Sequence, residues 1–171
     1  MKRYFLAALL LFSGLSTMAQ TNKYPIPSDV ATLSGIISAA YDAISGEKGS
    51  PRQLERIKSL YAAPGIISKN SVINGIQDRE VMGIDAFHQR FAKLREYDFY
   101  EEEINREVRI FGSIATVWST YQIRQTKDGP IFSRGINCLQ LHYKNKRWWI
   151  LSWSWDVERE GNVIPRTFDS Y

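Results

Sequence analysis

The chain has 171 residues, with 22 Lys and Arg against 18 Asp and Glu and a net charge of +4 at pH 7. That length suits one domain. Its basic residues are interspersed with Glu101, Glu102, Glu103, Glu107, Glu158 and Glu160, which excludes the continuous cationic stripe that tracks phosphates, so nucleic acid is not an expected partner.

Residues 1–19 read as a secretory signal peptide: Lys2 and Arg3, an apolar run over residues 4–15, then Thr17-Met18-Ala19 ahead of Gln20. The run is shorter than the roughly 20 apolar residues of a membrane span. Cleavage after Ala19 is therefore expected, with export to a periplasm or the medium and no membrane attachment afterwards. Without Lys2 and Arg3 the chain keeps 20 basic and 18 acidic side chains, a charge of +2. The lone Cys138 cannot close an intrachain disulfide and reads as a small buried hydrophobe in mid-strand.

Residues 20–28, polar with two prolines, form a linker. A helix opens near Ser28 or Asp29, either of which can cap it, and carries Val30, Leu33, Ile36, Ile37, Ala40, Tyr41 and Ile44 at helical spacing until Gly46 ends it. Ser50-Pro51-Arg52-Gln53 has the signature of a second helix start: a capping serine, proline at the first helical position, and glutamine reaching back. Ala63-Pro64-Gly65 breaks the chain, and residues 66–73 predict a short strand at the sheet margin. A third helix is expected over residues 84–95, with Phe87, Phe91 and Leu94 on one side and His88 facing solvent or a local partner.

From Tyr100 the period changes to two. Strands are expected over residues 100–110, 114–125, 131–143 and 148–157, joined at Gly112-Ser113, Asp128-Gly129 and Lys144-Asn145-Lys146. The tail, residues 159–171, wraps an edge. The predicted fold is α+β: a cone-shaped roll in which a curved antiparallel sheet of four long strands plus a short one packs on three N-terminal helices.

That order, the Tyr61-Ala62-Ala63-Pro64-Gly65 break, and the passage from Arg134-Gly135-Ile136-Asn137 and Gln140-Leu141 into Arg147-Trp148-Trp149-Ile150 resemble the nuclear-transport-factor-2-like superfamily, in its SnoaL-like and ketosteroid-isomerase-like branch. The resemblance covers about residues 29–158. It implies a cone with a pocket under the sheet and, often, dimers through the convex face.

Two-residue turns at Asn145-Lys146 and Asp128-Gly129 would place Ser119, Tyr121, Arg134, Cys138, Gln140, His142, Leu151, Trp153 and Trp155 on one sheet face, and Trp118, Leu139, Leu141, Tyr143, Trp148 and Ile150 on the other. The resemblance favours the first set as pocket lining. Both faces are then apolar, so a second subunit or the tail must cover the convex one.

The isomerase relatives use a carboxylate base and an oxyanion clamp of a tyrosine and a protonated acid. Aligned along the breaks, Tyr41 stands at the tyrosine, but Lys69 and Cys138 stand at the acids, which counts against that reaction and makes Tyr41 a core residue with a bonded hydroxyl. Two histidines and one cysteine give no metal-binding spacing, no cofactor motif is present, and the Glu101-Glu102-Glu103 run reads as a solvated strand end. The expectation is an exported homodimer binding a small, mostly apolar molecule through Tyr41, Tyr121, Arg134, Gln140, His142, Trp153 and Trp155. A SnoaL-like isomerase, dehydratase or hydrolase using His142, and a non-catalytic dimerisation module, are the alternatives.

Overall fold

The structure, a computed structural model, describes residues 23–91 and 93–169, so the expected signal peptide and the first residues of the linker lie outside it. Two helices, α1 (Pro27–Ala31) and α2 (Leu33–Ile44), stand where one was expected. The break is at Thr32, whose backbone is extended and whose side chain accepts from the Gly35 N–H at 2.9 Å, capping α2. Asp29 is not a cap. It receives Arg56 Nε at 2.7 Å and Nη2 at 3.0 Å, while Arg56 Nη1 reaches Asp42 at 2.5 Å, so one guanidinium ties α1 and α2 to α3 (Leu54–Leu60).

The Ser50-Pro51 signature does not start α3. The Ser50 hydroxyl donates to the Glu47 carbonyl at 2.5 Å, and the cap position falls to Gln53 without a side-chain bond. The last helix, α4 (Ile84–Arg90), ends five residues before Arg95, leaving Leu94 exposed.

Six strands form one sheet: β1 (Tyr61–Ile73), β2 (Ile76–Gly83), β3 (Tyr100–Phe111), β4 (Ile114–Arg124), β5 (Ile131–Lys144) and β6 (Arg147–Val157), in the order β2-β1-β6-β5-β4-β3. The sheet is mixed, since β1 runs parallel to β6. The expected margin strand is therefore internal, and β2 takes the edge. Asn74-Gly75, both at positive φ, turns β1 into β2.

Register decides what the sheet presents. Lys144 pairs with Arg147 across Asn145 and Lys146, both at positive φ, as the two-residue turn requires. Gln140 then pairs with Ser152 but Leu141 with Ile150, so Leu151 is bulged out. The β4–β5 connection is longer than two residues, and Tyr121 pairs with Gly135, one residue off the register that a two-residue turn at Asp128-Gly129 gives. Both departures turn β5 over. Asn137, Leu139 and Leu141 face inward with Val117, Ser119, Tyr121 and Trp153, while Arg134, Cys138, Gln140 and His142 face outward.

The core lies between this inner face and the helices, where Ile36, Ile37, Leu60, Val117, Leu139, Leu141 and Ile150 are completely or almost completely buried. On the convex side Arg134, Gln140 and His142 stand where Leu139 and Leu141 were expected, and Trp148 and Ile150 turn inward, so that face is less apolar than expected. Part of it is covered by the C-terminal segment: Phe168 stacks at 5.7 Å on Trp118, Thr120 donates to the Phe168 carbonyl, and Arg134 reaches Asp169 at 2.6 Å.

Candidate functional site

Beyond the core, the helices and the inner sheet face diverge around a cavity of about 470 Å³. Trp153, Trp155, Tyr121 and Ile67 form its sheet wall; Ala40, Ala43 and Ile44 of α2, Ile57 of α3, and Phe87 and Phe91 form the opposite one. The space suits a small organic molecule, and its walls are mainly hydrocarbon and aromatic.

Beside Tyr121 and the tryptophans, Glu101 from β3 and Asn137 from β5 open into it. They begin a chain of hydrogen bonds. The Ser119 hydroxyl donates to Glu103 Oε1 at 2.5 Å, and Glu103 is held by Arg106, whose Nε lies 2.8 Å away. The hydroxyl proton of Ser119 is thereby committed, so at 2.7 Å the Tyr41 O–H must donate to Ser119 Oγ. The Tyr41 oxygen then accepts from Asn137 Nδ2 at 2.8 Å, which fixes the amide orientation and leaves its second N–H for Glu101 Oε1 at 3.2 Å.

The two carboxyl groups of this chain have different partners. Glu103 has its arginine. Glu101 has no cation partner among the described residues, and burial pushes its carboxyl up to about 7, against a smaller lowering by the Asn137 bond. Burial, and then the Glu101 charge, also drive the Tyr41 and Tyr121 phenols well above their usual range. Both tyrosines are neutral at any ordinary pH, and Glu101 is the group that can change charge near neutrality.

Arg95 closes the α2 end of the cavity. It donates to the Ile44 carbonyl at 2.6 Å and the Ser45 carbonyl at 2.8 Å, satisfying the last acceptors of the helix. Burial, and then Arg52 nearby, lower its pKa. Arg90 and Glu80 pair across another part of the lining.

No family model matches the sequence, and no curated protein matches it. Solved structures match in fold. A cystatin-like protein of unknown function from Nostoc punctiforme is 14% identical with a TM-score of 0.55, over 72% of this chain and 86% of that one. A candidate aromatic ring hydroxylase from Novosphingobium aromaticivorans is 15% identical with a TM-score of 0.54, over 79% and 92%. The C. elegans CaMKII association domain is 16% identical with a TM-score of 0.53, over 71% and 89%. The chain shares the cystatin-like fold of these structures. Their described functions differ, so chemistry has to be read from the site.

Within this cystatin-like roll, the expected site residues divide. Tyr121, Trp153 and Trp155 line the cavity, and Tyr41 lies directly behind it with its ring edge-on to Trp153 at 5.7 Å. Arg134, Gln140 and His142 do not belong to it, because the β5 register carries them to the convex face; Arg134 binds Glu158 and Asp169, and Gln140 is exposed. Cys138 is on that face too, half-buried, with its thiol pushed up by burial. Of the two positions aligned with the isomerase acids, Lys69 reaches the cavity rim and Cys138 is on the wrong side.

Sequence reasoning missed Glu101 and Asn137. The strand-end reading of the Glu101–Glu103 run fails because residues 101 and 103 share a parity and both turn inward, leaving only Glu102 exposed. Asn137 was within the motif that carried the resemblance, and a single register step hid it. Among the described residues no cluster of three or more His, Cys, Asp or Glu could hold a metal ion.

Proposed function

We propose that the cavity binds a small, largely apolar molecule and that Glu101 exchanges a proton with it. The observation that carries this reading is a carboxyl group in the wall of an aromatic cavity, bonded by the Asn137 amide and by no cation among the described residues, and pushed up by burial to about 7. A group with that pKa can be both acid and base at neutral pH, which is where general acid–base catalysis is most effective. Tyr41 cannot act as an oxyanion donor, since its proton belongs to Ser119. Glu101 works instead with the Asn137 amide, and the reaction class is proton transfer at a carbon made acidic by a neighbouring carbonyl.

Hydrogen–deuterium exchange at the α-carbon of 2-tetralone, followed in D₂O by NMR, tests this. Exchange accelerated over buffer by the protein and abolished by Glu101→Gln is the expected result. Binding without acceleration would reduce the site to a carrier.

The reading includes a place in the SnoaL-like, ketosteroid-isomerase-like branch, supported by residues 61–65 and 134–150, and export, supported by residues 1–19. A secreted product whose mass begins at Gln20 is the expected sign of export. Association of two copies through the convex face is a second reading. It is favoured by Trp118, 40% exposed on the outer face of β4, by Phe132, 65% exposed near the start of β5, and by likeness to a domain described as an association domain. Light scattering on Phe132→Glu decides it, with a shift from dimer to monomer expected.

A further inference from the structure

The charges around the cavity are not balanced. Arg52, Lys69, Arg90 and Arg95 line it against Glu80 and Glu101. Two of the cations are occupied: Arg90 pairs with Glu80, and Arg95 serves the carbonyls at the end of α2. The other two are not. Among the described residues neither Lys69 nor Arg52 is in an ion pair; Lys69 stands on β1 across from Glu80, and Arg52 lies 5.1 Å from the centre of the Phe91 ring. Both are at the rim rather than the depth, with Lys69 exposed and Arg52 half-buried, whereas the tryptophan wall lies inside.

Resting on the reading of the cavity given above, we propose that its ligand is an amphiphilic anion, whose apolar body lies against Trp153 and Trp155 and whose carboxylate or equivalent group meets Lys69 and Arg52. A hydrated ammonium and a guanidinium at the mouth of an apolar cavity attract an anion without requiring it to leave water completely, which limits the desolvation cost. Among the described residues no ion pair holds either side chain, which leaves their donors available. Glu101 does not oppose the anion while protonated, and its position in the interior keeps it apart from the rim.

The experiment compares 4-phenylbutyrate with 4-phenyl-1-butanol, equal in apolar body and different in charge, by tryptophan fluorescence and calorimetry on the chain from Gln20. The carboxylate is expected to bind about ten-fold more tightly than the alcohol at low salt, with the preference falling as salt screens it. Arg52→Gln/Lys69→Gln is expected to remove the preference while leaving alcohol binding and thermal unfolding unchanged. Equal affinity of the two probes overturns the anion assignment, a preference that survives the double substitution overturns the roles of Lys69 and Arg52, and either leaves the cavity reading standing. Failure of both probes to bind overturns both.

Discussion

The side-chain amide of Asn137 donates to Glu101 Oε1 at 3.2 Å and is oriented for that by the Tyr41 oxygen, which takes its other N–H at 2.8 Å. A carboxyl group inside an apolar cavity is thus supported by a neutral donor rather than a cation. A cation would hold the carboxyl ionised, whereas a single amide leaves burial dominant and the proton exchangeable near pH 7.

That has a consequence for stability. The carboxyl binds its proton more tightly in the folded chain, at about 7, than at its ordinary 4.5, so between those values the native state holds more protons than the unfolded one. Stability contributed by this group is therefore full below 4.5, falls as pH rises to about 7, and is level above. Glu101→Gln, which keeps an acceptor and removes the charge, is expected to match the parent at pH 4 and exceed it at pH 8, by up to about 3 kcal/mol. Urea unfolding at the two pH values reads the difference, and equal stabilities at pH 8 would contradict it.

Tyr41→Phe removes the middle of the chain from Asn137 to Glu103. One amide proton and the Ser119 oxygen lose a buried partner, at a cost of about 1–3 kcal/mol. A ring of the same size keeps the contact with Trp153, so the loss should appear in unfolding free energy without a change in Trp fluorescence of the native state.

Gly135 is required by close approach. A Cβ there would lie 2.4 Å from the Tyr121 hydroxyl and 2.4 Å from the Asp156 carbonyl. Gly135→Ala should cost about 1–3 kcal/mol or more and push Tyr121 into the cavity. Thermal unfolding measures the first effect, and weakened binding of either phenylbutyl probe the second.

His142 provides the contrast. On the convex face it touches nothing in the cavity, so His142→Ala should leave α-proton exchange unchanged and stability within about 0.5 kcal/mol. Loss of exchange would return the chemistry to the other side of the sheet.

Most of the fold was legible because its signals are local. The four long strands, the Asn145-Lys146 turn and the apolar stripe of α2 follow from alternation, turn chemistry and helical spacing. Strand β2 was not, because its alternation is largely polar, although Asn74-Gly75 announced the turn into it. The site was half legible. Tyr121, Trp153 and Trp155 kept their face, whereas β5 depended on two connections at once, and the bulge at Leu151 together with the longer β4–β5 loop exchanged Gln140 and His142 for Asn137 and Leu139. A bulge leaves no composition signal, and side-chain period two makes one residue of slip a complete inversion.

The most direct measurement is the titration of the Glu101 side-chain carboxyl by carbon-13 NMR, assigned by comparison with Glu101→Gln. The account predicts a midpoint at about 7 that moves when a phenylbutyl probe enters the cavity. A midpoint near 4.5, unmoved by the probe, would show a solvated carboxylate and contradict it.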